Sequence, residues 1–270
     1  MKKLATALVS AAAIMTMSTT AFAAENPAEV FDRVMDKNNA IQSVDIQSGV
    51  HSVILAKDNV LPDGQMKVDM AMHAEMDMQD ATDIKYLAQV ASSILGQDSY
   101  SQVFYTDGYY YVDANGVKVK YPMPLEQIVS SVQTGVAASN MESSYMKGIS
   151  LHEVNGKRVL AYEANTKKLN KSVKDALGAV MNALGTDANL DMSIQEMKGA
   201  YVLDDNDYIT YMTNYIVYNM EVLDQPMTCI TLMETEVQNP GEPVVVTIPS
   251  TDGYEDLIGL YDGAIASEVE

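Results

Sequence analysis

Met66-Lys67-Val68-Asp69-Met70-Ala71-Met72-His73-Ala74-Glu75-Met76-Asp77-Met78 is the stretch that decides the fold class. Its even positions are Met66, Val68, Met70, Met72, Ala74, Met76 and Met78. Its odd positions are Lys67, Asp69, Ala71, His73, Glu75 and Asp77. Such unbroken period-two alternation fits a strand with one buried and one wet face, and no helix produces it. At roughly 3.4 Å per residue the strand is about 40 Å long, against the usual run of about 5–6 residues. A strand of that length belongs to a large, curved antiparallel sheet. Five of its seven even positions are methionine, where a rigid core would use Val, Ile or Leu. Unbranched thioethers fill irregular space and recur on surfaces that accept varied apolar partners.

The chain opens with an export signal. Lys2 and Lys3 are basic, Leu4 to Met17 is apolar and Ala-rich, and Ala21-Phe22-Ala23 is a small-x-small cleavage site. Cleavage leaves a mature chain starting at Ala24, with residues 1–23 removed. No cysteine follows the site to carry a lipid anchor, and the apolar run is shorter than the ~20 residues of a membrane span. The protein is therefore expected to be secreted or extracytoplasmic, with no transmembrane segment in the mature chain. The signal holds two of the 17 basic residues and none of the 37 acidic ones, so the mature chain carries 15 against 37, a net −22. That field repels nucleic acid and anionic headgroups. The one cysteine, Cys229, has no disulfide partner and lies in the strand-like run Met227-Thr228-Cys229-Ile230-Thr231-Leu232-Met233, where it reads as a buried small hydrophobe.

Along the mature chain, Asn26-Pro27 opens a helix to Ile41, with Val30, Phe31, Val34, Met35 and Ile41 on one face. Val44 to Ala56 and the Met strand form a hairpin through Leu61-Pro62-Asp63-Gly64. Ile84, Leu87, Ala88, Ala91, Ile94 and Leu95 recur at helical spacing before Gly96, which predicts a helix over 82–95. Ser101 to Tyr105, Tyr109 to Asp113 and Val117 to Tyr121 form a meander turned at Asp107-Gly108 and Asn115-Gly116. A helix with Leu125, Ile128, Val129, Val132 and Val136 follows. Tyr145 to Val154 and Lys157 to Ala164 pair around Asn155-Gly156. A helix over 166–184 carries Lys167, Lys168, Lys171 and Lys174. Leu190, Met192 and Ile194 alternate with Asp191, Ser193 and Gln195, Gly199 to Leu203 continues the sheet, and the remaining strands are Tyr208 to Met220, Met227 to Val237 and Val244 to Ile248. No single-strand β-α-β rhythm appears, so the expected fold is α+β: a large curved antiparallel sheet with helices gathered on its concave face. The expected domain spans 24–249, and 250–270 reads as an acidic flexible tail.

This order, with the Tyr109-Tyr110-Tyr111-Val112 meander and the closing Val244-Val245-Val246-Thr247-Ile248-Pro249, resembles the exported half-barrel proteins of the lipoprotein-carrier type, which include the LolA, LolB and LppX-like folds. Within that group it is most similar to secreted, uncharacterised Gram-positive bacterial proteins, in which a phrase like Phe104-Tyr105-Thr106-Asp107-Gly108-Tyr109-Tyr110-Tyr111 runs into one like Asn115-Gly116-Val117-Lys118-Val119-Lys120. The resemblance implies an open half-barrel of about eleven strands whose concave face, covered by helices, holds acyl chains. Some members carry lipids or lipoproteins. No residue-level binding motif carries over.

Residues able to support chemistry are sparse. His51, His73 and His152 are scattered, and His73, beside Glu75 and Asp77, reads as a solvated edge in preference to a metal site. Nucleophile elbows, P-loops and dinucleotide fingerprints are missing. Asp204-Asp205-Asn206-Asp207 lacks the spacing of an EF-hand loop and reads as a turn. No catalytic residue, metal or cofactor is assigned, and an enzyme is the least favoured class. The Met face reads as sheet core under helices, or as the lining of an apolar cavity; soft Cu(I) ligation would need closer, less regular geometry. The leading expectation is a non-enzymatic binding protein for a lipid or other hydrophobic ligand, with Met66, Val68, Met70, Met72, Met76 and Met78 as the apolar face and Tyr109, Tyr111 and Tyr211 as pocket or rim aromatics. The alternative is a cell-envelope interaction protein with a filled core that binds an envelope protein or wall polymer.

Overall fold

Tight turns set the architecture. Asp107-Gly108, Asn115-Gly116 and Asn155-Gly156 all take positive φ at both residues (53°/78°, 52°/87° and 53°/74°). That backbone matches the right-handed twist of the strands it joins, and glycine adopts it without a Cβ penalty. The computed structural model describes residues 25–56, 64–80, 82–125, 141–171, 192–222 and 225–257. The predicted signal (1–23), most of the predicted helix after Pro124, the predicted helix beyond 171 and the tail beyond 257 lie outside those residues.

One helix, α1 (Pro27–Asn39), precedes the strands β1 (Ser43–Ala56), β2 (Gln65–Asp77), β3 (Lys85–Ile94), β4 (Gln97–Thr106), β5 (Tyr109–Ala114), β6 (Val117–Pro122), β7 (Met146–Val154), β8 (Lys157–Ala164), β9 (Met192–Leu203), β10 (Ile209–Val222), β11 (Gln225–Gln238) and β12 (Glu255–Asp256). They form a 12-stranded sheet in the order β12-β6-β5-β4-β3-β2-β1-β11-β10-β9-β8-β7. The strands β12 and β7 stand at the two ends of that order. Pairing is antiparallel from β3 through β6 and from β7 through β11, while β12 joins β6 in parallel. The α+β class and the large sheet agree with the sequence. Among the described residues α1 packs against β7 to β10, while most of the helices expected after Pro124 and over 166–184 lies outside them.

The chain divides into two compact units. The first comprises Met1–Ala40, Gly49–Asp69 and Asn140–Glu236. In it Asn26 caps α1 by accepting from the Ala28 amide at 3.1 Å, and Pro27 occupies the first turn, where its missing N–H costs nothing. Val30, Phe31, Val34 and Met35 are buried against Leu151, Leu160, Tyr162, Tyr201, Leu203 and Ile209, as the helical spacing predicts. Phe31 meets the Tyr162 ring edge-on at 5.8 Å. A second cluster joins Val159, Ala200 and Val202 to Tyr211. The Asp204–Asp207 segment is the turn expected of it. Asp204 Oδ1 accepts from the amides of Asn206 and Tyr208, and Asp207 pairs with Arg33 and Arg158 at 2.8 and 2.6 Å. Cys229 is buried and reduced, its Sγ 3.6 Å from Met220 Sδ, and burial pushes its thiol up.

The second unit comprises Ile41–Ser48, Met70–Ser139 and Val237–Glu270, and two expectations are corrected there. Residues 82–95 form no helix: β3 pairs with β4 along its length, from Tyr86 opposite Tyr105 to Ile94 opposite Gln97. Leu95 (φ 53°) and Gly96 (φ 77°) turn the hairpin. A left-handed glycine ends helices as readily as it turns hairpins, so Gly96 fitted both readings. Strand pairing is secured by polar matches that helical spacing ignores, Gln89 with Gln102 at 2.8 Å and Ser92 with Ser99 at 2.6 Å. Second, Val244 to Ile248 is not a strand. Its alternation is real, with Val246 buried and Val245 87% exposed, but Pro243 and Pro249 bracket a segment held by side-chain packing. The Val244 amide donates to Ser43 Oγ at 2.7 Å. Beyond Pro249, Tyr254 is buried with its ring edge-on to Phe104 (5.5 Å) and Tyr111 (5.2 Å), between exposed neighbours. With Leu87 and Val246 these rings form one cluster, and Ile84, Tyr105, Tyr86, Tyr110 and Met78 form another.

Candidate functional site

The strand β2 carries most of the residues singled out in the sequence, and its two faces differ in chemistry. Gln65, Lys67, Asp69 and Ala71 are exposed, while Met66, Val68 and Met72 are half-buried. Met70 breaks the pattern at 38% exposed. Further along, Ala74 is buried, and Met76, Met78, His73, Glu75 and Asp77 are all half-buried. The expected contrast between a sealed face and a wet one is therefore softer than the sequence suggests. The physical reason is that, among the described residues, Met66, Val68, Met70, Met72 and Met76 belong to none of the four buried clusters. Only Met78, just past the strand, packs against one, beside Ile84 and Tyr105.

The three aromatic candidates sit in packed surroundings. Tyr111 is buried and stacked on Phe104, centroids 4.6 Å apart and planes 2° from parallel. Tyr109 is half-buried beside it, with Lys120 Nζ 5.2 Å from its ring centroid. Tyr211 donates its hydroxyl to Glu234 Oε1 at 2.6 Å. Burial and that neighbouring carboxylate push its phenol well above the ordinary value. Glu234 is itself buried and its other oxygen has no partner. Sequence reading passed over Glu234, because an acid two residues from Glu236 in an acidic chain gives no signal of burial.

On the odd-numbered side, His73 Nε2 lies 2.9 Å from Asp45 Oδ1 on β1 and 3.7 Å from Glu75 Oε1. The three donor atoms all lie within 4.8 Å of one another. Glu75 could be read beside His73 in the sequence, but Asp45 comes from the neighbouring strand and no local spacing announces it. His51 makes a separate pair with Asp69 at 2.7 Å.

A cleft of about 230 Å³ lies in the first unit, against the 166–171 helix. Lys147, Glu163, Lys167 and Glu196 line it, and Lys147 and Glu163 are paired at 2.5 Å. Small-molecule sites run to about 300–1,000 Å³ and are mostly apolar, so this charged cleft is a poor host for an acyl chain. Lys167 lies at the cleft; Lys168 donates to the Ser144 carbonyl at 2.9 Å. No helix among the described residues is long and apolar enough to cross a membrane.

The sequence profile of DUF6612, described as a family of unknown function, matches residues 26–251. The chain belongs to this family. No curated protein sequence matches the chain significantly. Among solved structures it is similar to LprF from Mycobacterium bovis, at 11% identity and a TM-score of 0.38 over 84% of this chain and 100% of that one. It is similar also to the lipoprotein LppX from Mycobacterium tuberculosis, at 11% identity and 0.35 over 83% and 100%. A β-barrel-like protein with a DUF1849 domain from Brucella abortus follows at 9% identity and 0.25 over 74% and 100%. LppX is one of the folds that the sequence resembles.

Proposed function

We propose that this DUF6612 protein is a secreted, non-enzymatic binding protein that shelters an apolar ligand, a lipid or acyl chain, against the even-numbered face of β2. One observation carries the reading. Met70, Met72 and Met76 form a row of pliable apolar side chains that no buried cluster among the described residues absorbs, with Met70 38% exposed. Contiguous apolar surface left outside a core marks a place where something apolar binds. Methionine suits ligands of variable shape, because its thioether stem repacks at little cost. Each ligand methylene taken out of water would contribute roughly 0.8 kcal/mol, so a single acyl chain suffices for useful affinity. The absence of nucleophile elbows and nucleotide motifs from the sequence fits binding without chemistry.

Native mass spectrometry of the protein purified from its own host, followed by solvent extraction, tests the proposal. The expected result is an added mass that extracts as lipid and that Met70→Asp and Met72→Asp abolish while circular dichroism stays unchanged. A protein that carries no such mass and takes up none of a broad lipid panel at high concentration is not a carrier.

A further inference from the structure

The geometry points to a divalent transition-metal site formed by Asp45, His73 and Glu75 on the odd-numbered side of β2. Residues 73 and 75 are two apart and so share a face of the strand, and β1 lies beside it in the sheet and supplies Asp45. The separations of 2.9 Å (His73 Nε2 to Asp45 Oδ1) and 3.7 Å (His73 Nε2 to Glu75 Oε1) suit a single ion. Donors about 2.0–2.2 Å from one ion stand about 2.9 Å apart at a right angle and about 4.1 Å apart when opposed. Both observed distances fall in that range without moving the backbone.

A second, independent feature is Glu75 Oε2, which is buried and has no hydrogen-bond partner. An unsatisfied buried carboxylate oxygen is costly, and an ion held by both oxygens of Glu75 would satisfy it. The side chains of Asp45 and His73 are 27% and 36% exposed, which leaves an open side where water completes the coordination. Charge agrees as well. The two carboxylates bring −2, which a divalent ion cancels. An imidazole combined with carboxylates suits Zn²⁺, Mn²⁺ or Fe²⁺ better than Ca²⁺ or Mg²⁺, which prefer oxygen donors alone. The site does not depend on the apolar-ligand reading, because the methionines occupy the even positions of the same strand.

Isothermal titration calorimetry of the purified protein with Zn²⁺ alone tests it. The expected result is one site per chain, weakened about 10-fold or more by His73→Gln and, separately, by Asp45→Asn. His51→Gln, which removes the pair with Asp69, leaves the affinity unchanged, and excess Ca²⁺ does not compete. Co²⁺ in place of Zn²⁺ gives visible d–d absorption that changes in His73→Gln. Having two variants on different strands guards against one of them failing to fold. Absence of Zn²⁺ binding overturns the assignment. So does binding of equal strength in the wild type, His73→Gln and Asp45→Asn, which would place the ion elsewhere on the acidic surface.

Discussion

Single residues in the first unit carry two consequences that a contact map alone would miss. Gly199 sits in β9 opposite both Asn214 and Tyr162, and its missing side chain is what lets the Tyr162 hydroxyl meet Asn214 Oδ1. A Cβ there would stand 2.5 Å from the Thr213 carbonyl oxygen, 2.6 Å from Asn214 Oδ1 and 2.7 Å from the Tyr162 hydroxyl. All three neighbours are buried or backbone, so none can yield cheaply. Gly199→Ala is expected to destabilise the protein by about 2–3 kcal/mol in urea unfolding; a change within about 0.5 kcal/mol would show that β9 has slack. Asp207 is the second case. Burial pushes its carboxyl up, but hydrogen bonds from Arg33 and Arg158 outweigh it and hold the group below the ordinary carboxylate value. A depressed folded-state pKa gives stability that is complete above the unfolded value of about 3.9 and is lost as pH falls through the folded value. Asp207→Asn should therefore cost about 1–2 kcal/mol at pH 7, since water screens the half-exposed Arg33. It should also flatten the loss of stability below about pH 4 that the wild type shows. Parallel acid limbs for the two proteins would remove Asp207 from the account.

Elements were legible where a turn has one chemical solution, and illegible where one signal has two. Asp107-Gly108, Asn115-Gly116 and Asn155-Gly156 connect three adjacent strand pairs, and each strand falls close to where alternation placed it. The count of eleven longer strands survives for a partly compensating reason: β3 replaces the expected helix over 82–95, and Val244 to Ile248 drops out. In β3 the neighbours Leu87 and Ala88 are both buried, on opposite faces, which erases period two and imitates a helical stripe. At the C-terminal end, loss of apolar alternation after Pro249 hid the packing of Tyr254, a lone aromatic that local pattern cannot mark as buried. That element yields a prediction of its own. Tyr254→Ala removes two edge-on ring contacts, with Phe104 and Tyr111, and should lower stability by about 3 kcal/mol while exposing the β5–β6 segment to hydrogen exchange. Unchanged stability and exchange would show that Tyr254 adds nothing to that packing.

At the scale of the whole molecule, the described core is concentrated in four clusters, and the Met-bearing strand that organises the sequence lies outside all of them apart from Met78. Alternation alone could not foresee this, because a methionine facing a packed helix and one facing an open apolar surface are written identically. The residue partners of the proposed metal site were hidden for a related reason: Asp45 and His73 are 28 positions apart and meet only through strand pairing. Methionine oxidation supplies the most direct test of the central claim, since thioether reactivity follows exposure. Mild peroxide treatment of the protein, stripped of bound lipid and then supplied with phospholipid or fatty acid, can be read residue by residue by peptide mass spectrometry. The account predicts that Met70, Met72 and Met76 oxidise in the stripped protein and are protected severalfold at saturating lipid, while buried Met35 reacts slowly in both states. Equal oxidation of Met70, Met72 and Met76 with and without lipid would contradict it.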